Sequence, residues 1–246
     1  SCTTYSSNYV SLINTSVYCT EKVDREVYTK REKGKPLELE QYKGCFVRPD
    51  TCDKEVVAEM KRSYGWLNVE GKRVLDVGAN IGTFSRMALK KGAVSVEAYE
   101  PDVGNATVAK LNAPEADIRT AALISSEEKE IALYINPTSK NHGNFSTTEY
   151  RGRNAHMVSA VNFSEVLDEF KPQIIKMDCE GAEYDLLRNP LPLDVEEIAL
   201  EIHLMKKHWR NFEAIKLVER FADWETVVQP KIGKQNWHTL AGFRRK

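Results

Sequence analysis

The sequence has no long apolar run. No stretch approaches the roughly 20 apolar residues a membrane-spanning helix needs, so no membrane partner is expected. It also lacks a paired-cysteine motif. The cysteine count is an odd five, and Cys2, Cys19, Cys45 and Cys52 crowd the N-terminal part without any C-x-x-C spacing. A zinc knuckle is therefore not expected, and no metal centre is assigned. Reduced thiols are the default, and Cys179, in an apolar run, reads as core packing. Neither sign of charge dominates: Lys+Arg 35 against Asp+Glu 36 leaves a formal net charge of -1. That balance excludes a whole-surface field built for nucleic acid, while a local basic patch stays open. Repeats of solenoid period and low-complexity tracts are absent. Ser1-Cys2-Thr3-Thr4-Tyr5 shows neither the basic nor the apolar region of a signal peptide, and the expectation is a cytoplasmic protein.

What is present divides in two. Residues 1–50 are polar and weakly periodic and read as an N-terminal extension; residues 51–246 read as one domain. Asp50 or Thr51 is placed to cap a helix through Val56, Val57, Met60 and Tyr64. From Lys72 onward, short apolar runs alternate with amphipathic segments. Strands are expected at Arg73–Val77, Val94–Tyr99, Ile118–Ala122, Glu130–Ile135, Gln173–Met177 and Ile198–Ile202. Helices are expected at Gly82–Lys91, Val103–Leu111, Ser164–Phe170, Gly181–Arg188 and Phe212–Phe221. This alternation implies an α/β fold with a mainly parallel sheet covered on both faces. Thr226–Val228 and His238–Phe243 have no helix between them and are expected to pair as an antiparallel C-terminal hairpin at one edge.

The most informative segment is Val74-Leu75-Asp76-Val77-Gly78-Ala79-Asn80-Ile81-Gly82-Thr83-Phe84. An apolar strand enters a turn with glycines at 78 and 82, and the turn opens a helix. Such a turn lets backbone approach a ligand closely and offers free N–H groups at the helix start. The spacing is G-x-x-x-G rather than the G-x-G-x-x-G of dinucleotide binders, and Asp76 precedes it. An acid beside the turn suits an ammonium group better than a pyrophosphate. That suggests a zwitterionic ligand such as the methionine part of S-adenosylmethionine (SAM). The next strand ends in Glu97-Ala98-Tyr99-Glu100-Pro101, where a carboxylate can accept both ribose hydroxyls.

A second constellation is Ile174-Ile175-Lys176-Met177-Asp178-Cys179-Glu180-Gly181-Ala182-Glu183, a buried strand ending in charge. Lys176, Asp178 and Glu180 share strand parity and fall where ligand crevices lie in open α/β sheets. Glu201 and His203 close the following strand. Acids clustered with Lys and His are candidates for shifted pKa values and proton transfer. Asp178, Glu180, Glu201 and His203 are also hard donors of the kind a divalent ion accepts.

Together, VLDVGANIGTFS (74–85), EAYEPD (97–102), KMDCEGAEYDLL (176–187) and LEIH (200–203) resemble an FkbM-type methyltransferase over residues 70–246. The resemblance implies a class I, Rossmann-like methyltransferase fold: a seven-stranded sheet, mainly parallel, with its last strand antiparallel. It implies that Asp76, Gly78, Asn80 and Gly82 cradle the methionine portion of SAM and that Glu100 holds the ribose. By the same resemblance Pro101 and the Ala121–Ala122 turn flank the adenine, and Lys176, Asp178, Glu180 and Glu183 line the reacting end. Known members of the family mostly methylate hydroxyl oxygens on sugars or natural products.

Methyl transfer from an activated sulfonium needs alignment above all, and a hydroxyl acceptor benefits from a base. Asp178 is the favoured base, His203 the second choice, with Lys176 and Glu201 beside them. The expected acceptor is a hydroxyl on a sugar or small molecule. The competing readings are an RNA or DNA methyltransferase, such as a ribose 2′-O enzyme, and a non-catalytic cofactor-binding module. The first of these would use the basic, aromatic-flanked stretches at 151–153, 205–210 and 243–246. His142-Gly143-Asn144, in a polar loop, is a further candidate substrate contact, and His238 reads as an edge-strand residue. No oligomeric state follows from the sequence.

Overall fold

A computed structural model describes residues 37–135, 145–146, 154–204, 208–233 and 236–246. Outside them lie most of the N-terminal extension with Cys2 and Cys19, the loop carrying His142, and the basic stretches 151–153 and 205–207. Among the described residues no helix is long and apolar enough to cross a membrane.

The chain begins with a short hairpin, β1 (Glu40–Tyr42) and β2 (Cys45–Val47), followed by helix α1 (Asp53–Tyr64). The helix starts after Cys52, whose side chain makes no capping bond; instead Thr51 Oγ1 accepts from the Asp53 N–H at 3.2 Å. Asp50 adopts a positive φ of 60° and stands outside the helix. Arg48 and Asp53 form a buried two-point ion pair, and Asn112 bonds both the N–H and the C=O of Phe46. Through these contacts and the packing of Leu39 and Val47 on Ile81 and Val108, the hairpin is part of the folded body.

The main sheet comprises β3 (Arg73–Val77), β4 (Ser95–Tyr99), β5 (Asp117–Arg119), β10 (Ile174–Met177), β11 (Glu197–His203), β12 (Glu225–Val228) and β13 (His238–Arg244). Their spatial order is β12-β13-β11-β10-β3-β4-β5. β5, β4, β3, β10 and β11 are mutually parallel, and β13 runs antiparallel to both its neighbours. The terminal pair is antiparallel as expected, yet β13 inserts between β12 and β11, so His238 starts an interior strand. The inner strands are apolar on both faces, as a sheet covered on both sides requires. Leu75, Ile175, Met177, Ile198, Leu200 and Ile202 are fully buried, each stabilising the fold by about 1.5–3 kcal/mol.

Helices α2 (Thr83–Lys90), α3 (Val103–Asn112), α4 (Phe163–Phe170), α5 (Glu183–Leu186) and α6 (His208–Glu219) connect the strands. Asp102 caps α3 through the Asn105 N–H, and Asn162 caps α4 through those of Ser164 and Glu165. A second sheet, ordered β6-β9-β7-β8, is built from β6 (Ala122–Ile124), β7 (Glu130–Ile135), β8 (Phe145–Ser146) and β9 (Asn154–Asn162). The single strand expected at Ile118–Ala122 is thus two: the chain leaves the main sheet after Arg119 and joins the second at Ala122. The expected helix Gly181–Arg188 shrinks to the one turn of α5, because Glu180 (φ 55°) and Gly181 (φ 106°) hold left-handed backbone before it.

Strand order reverses between β3, whose chain continues to β4, and β10, whose chain continues to β11. A crevice opens at such a point, beyond the carboxyl ends of the strands. Here the two ends are tied together, the Asp178 N–H donating to the Val77 carbonyl at 3.0 Å.

Candidate active site

A cavity of about 310 Å3 lies over this reversal point, within the size range of small-molecule pockets. One wall is the β3–α2 turn. Gly78 holds φ 77°, and a Cβ there would collide with the Asp178 carbonyl, so the closeness of β3 and β10 requires glycine. Gly82 (φ 74°) does not line the cavity; its missing side chain makes room for the backbone of Ala109 on α3. Asn80, at φ 51°, does line it, and its buried Oδ1 has no partner.

Asp76 is absent from the cavity wall. It is fully buried behind the turn, accepting from Ser85 Oγ at 2.6 Å and forming an ion pair with Lys176 Nζ at 3.1 Å. Lys176, itself buried, donates to the Gly78 carbonyl at 2.6 Å. Burial alone would lower the Lys176 pKa, but the charges of Asp76 and Asp178 outweigh it and raise it. Of the four residues expected to cradle the methionine portion, Gly78 and Asn80 line the cavity, while Asp76 and Gly82 lie outside its lining. Asp76 sits behind its register partner Lys176, which does line the cavity, and the pair braces the turn.

Glu100 stands where the sequence places it, in the cavity wall with Pro101, Ala121 and Ala122. Its carboxylate accepts from the Asn80 N–H (2.8 Å) and the Asp102 N–H (2.9 Å). Burial, then the neighbouring Asp102 charge, pushes its pKa up to about 7 against those bonds.

Another part of the cavity wall is acidic. Asp178, Glu180 and Glu201 line it, with His238. His203 lies just beneath: its Nε2 is 3.4 Å from Glu180 Oε2, 3.8 Å from Glu201 Oε1 and 4.0 Å from Asp178 Oδ1. Glu183, expected at the reacting end, is instead fully buried under His203. Its Oε1 accepts the His203 N–H at 2.7 Å and lies 3.3 Å from Nδ1, and its Oε2 accepts the Gly181 N–H at 2.8 Å. Burial works against the His203 charge, but Glu183, Glu180 and Asp178 push its pKa up to about 10. Glu201 is pushed up to about 8 by burial and by the Asp178 charge.

Sequence reasoning missed two contributors. Helix α1 supplies a whole wall, including Glu55, Glu59, Ser63 and Tyr64. Its short apolar stripe signals a packed helix but not what that helix packs over. His238 reaches the cavity because β13 pairs it with His203, and its Nδ1 lies 3.4 Å from Glu201 Oε1.

The Methyltransferase FkbM domain family matches residues 76–231 of this sequence. The chain belongs to this family. It is a methyltransferase, and its cofactor is SAM. No curated protein sequence matches the chain significantly. Solved structures similar to this FkbM-family chain include the ribosomal protein L11 methylase of Lactobacillus delbrueckii subsp. bulgaricus, at 16% identity and TM-score 0.44, covering 78% of this chain and 80% of that one. A TehB-like SAM-dependent methyltransferase of Corynebacterium glutamicum is 15% identical with TM-score 0.42, covering 76% and 87%. The magnesium protoporphyrin IX methyltransferase of Synechocystis PCC 6803, solved with bound SAM, is 12% identical with TM-score 0.41, covering 78% and 77%.

The residues present fit SAM. The unpartnered Asn80 Oδ1 and the Glu100 carboxylate face one cavity, beside a turn whose glycine permits close approach. The sequence-based expectation that Glu100 holds the two ribose hydroxyls requires its carboxylate in the ionised form. SAM affinity is therefore expected to hold above pH 7 and to fall as pH drops through about 7, where Glu100 protonates. Glu100→Ala should weaken binding by about 1.5–3 kcal/mol and flatten that pH dependence. Calorimetric titrations between pH 5.5 and 8.5 check both expectations.

Proposed function

We propose that this chain methylates a hydroxyl oxygen on a sugar or other small polyhydroxylated molecule. The observation that carries this reading is the charge of the cavity wall: Glu55, Glu59, Glu100, Asp178, Glu180 and Glu201 line it, whereas its lysine, Lys176, is committed to Asp76 and Gly78. Carboxylates repel phosphate and suit a neutral or cationic acceptor.

The C-terminal basic stretch supports the same choice. Arg244 pairs with Glu197 and Glu225, and Arg245 donates to the Val195 and Pro192 carbonyls while stacking on Trp224. These side chains serve the fold rather than offering a strip to a nucleic-acid backbone.

When bound, SAM supplies a methyl group already activated on a sulfonium, and this chain's residues position and exclude. In this reading the Gly78–Asn80 backbone and Glu100 hold the cofactor, with Pro101 and Ala122 against its base. Lys176 and Asp76 keep the turn in place. Asp178 accepts the proton of the acceptor hydroxyl, which a weak oxygen nucleophile needs at neutral pH, while Glu201 and His203, which hold their own protons there, orient that hydroxyl.

The test is tritium transfer from labelled SAM to neutral sugars and amino sugars, their phosphate esters, and RNA. Transfer to unphosphorylated sugars, at least about tenfold above their phosphate esters, supports the proposal. RNA methylation, with affinity falling steeply as salt rises, overturns it.

A further inference from the structure

The acidic part of the cavity wall holds donors spaced too far apart for hydrogen bonds and suitably for sharing an ion. Asp178, Glu201 and His203 each bring one donor atom to within 4.8 Å of the others. Donors about 2.1 Å from one ion stand roughly 3–4.2 Å from each other, and His203 Nε2 lies 3.8 Å from Glu201 and 4.0 Å from Asp178. We propose that Asp178, Glu201 and His203 bind one divalent cation of the Mn2+ class, with its remaining positions open to the cavity. This rests on the reading that the acceptor hydroxyl meets the cluster, and it names what the hydroxyl would meet there.

Two observations besides the clustered acids point to a ligand. The first is the support behind His203. A metal-bound histidine presents one nitrogen to the ion and directs the other N–H to a carboxylate, which fixes the ring and its tautomer. Glu183 stands beside that nitrogen, 3.3 Å from Nδ1, fully buried and anchored by the Gly181 and His203 N–H groups. Nδ1 makes no other hydrogen bond, so the ring has only this carboxylate to turn toward when Nε2 takes an ion. Nε2 then faces three carboxylates. A single N–H there points at one of them, Glu180 being nearest at 3.4 Å, which leaves Asp178 and Glu201 at 4.0 and 3.8 Å for an ion that displaces the His203 proton. The second is Tyr64 on α1, a cavity-lining residue only 3% exposed, whose hydroxyl has no partner. Tyr64 shares the cavity wall with Asp178 and Glu201, and their charges act on that hydroxyl.

The donor set indicates the kind of ion. Two carboxylates and one imidazole, without a thiolate, suit a hard-to-borderline cation that keeps open positions for an oxygen ligand.

Titration of Mn2+ into the full chain without acceptor, followed by electron paramagnetic resonance, tests the proposal. One saturable site per chain is expected, with 14N coupling from one imidazole in the pulsed spectrum of the bound ion. His203→Gln should abolish that coupling, and Glu201→Gln should weaken binding at least about tenfold. Glu183→Gln, which leaves all three ligands in place, should weaken it about 10–100-fold. Should these variants fail to fold, the wild-type spectrum decides alone. No saturable Mn2+ binding, binding without nitrogen coupling, or coupling that survives in His203→Gln overturns the site. If Mn2+ does not bind but Asp178→Ala still abolishes methyl transfer, the ion falls and the proposed function stands. If Mn2+ binds as described and Asp178→Ala transfers methyl normally, the site stands and the cluster's role in transfer falls.

Discussion

Lys176→Met is expected to destabilise the protein by about 3–5 kcal/mol, because it leaves the Asp76 carboxylate buried without its cation. Asp76 is fully buried and Lys176 3% exposed, so water cannot take over the missing interaction. For a chain of this size the loss corresponds to a Tm lower by about 6–20 °C, readable by calorimetry. The double variant Asp76→Asn with Lys176→Met should recover much of the loss, since it removes the stranded charge. Single and double variants of equal stability would show that the pair does not brace the turn. The same pair holds the Gly78 carbonyl, so SAM affinity should fall together with stability in the single variant.

Asp178→Ala is expected to lower kcat by about 10²–10⁴-fold while leaving SAM affinity within about threefold. The split follows from geometry. The Asp178 side chain lies in the acidic part of the cavity wall, 4.0 Å from His203, whereas Glu100 and the Gly78–Asn80 turn form another part of the wall. The fold should tolerate the change, because the side chain is partly exposed and the strand tie runs through its backbone N–H. Single-turnover kinetics with the acceptor found in the tritium assay, alongside calorimetry for SAM, separate the two quantities. A kcat equal to wild type at saturating SAM would remove Asp178 from the chemistry.

Much of the fold is legible because the inner strands are buried on both faces. Short, mostly apolar runs such as Arg73–Val77 and Ile174–Met177, each broken by one buried charge, read as buried strands, and glycines at a strand end mark the turn that follows. The second sheet is less legible. β9 alternates exposed and half-buried residues over Ala155–Ser159, with Met157 61% exposed, a pattern that resembles a loop until β7 is laid beside it. The break between β5 and β6 was hidden as well, since Ile118, Ala121 and Ala122 are all buried although they serve different sheets.

The sequence by itself determined the parallel α/β order, the G-x-x-x-G turn with Glu100 on the next strand, and the acid-rich ends of β10 and β11. These are local features: strand period, left-handed glycines and the residues that terminate a strand lie within a few positions of each other. Only the tertiary structure decided which of those residues face the cavity. Asp76 and Glu183 became buried supports because each found a partner across the fold, Lys176 for one and His203 for the other. His238 and Tyr64 entered the site because β13 inserts beside β11 and α1 lies over the crevice. Long-range pairings of this kind depend on how the separate elements pack, and no local pattern in the chain encodes them.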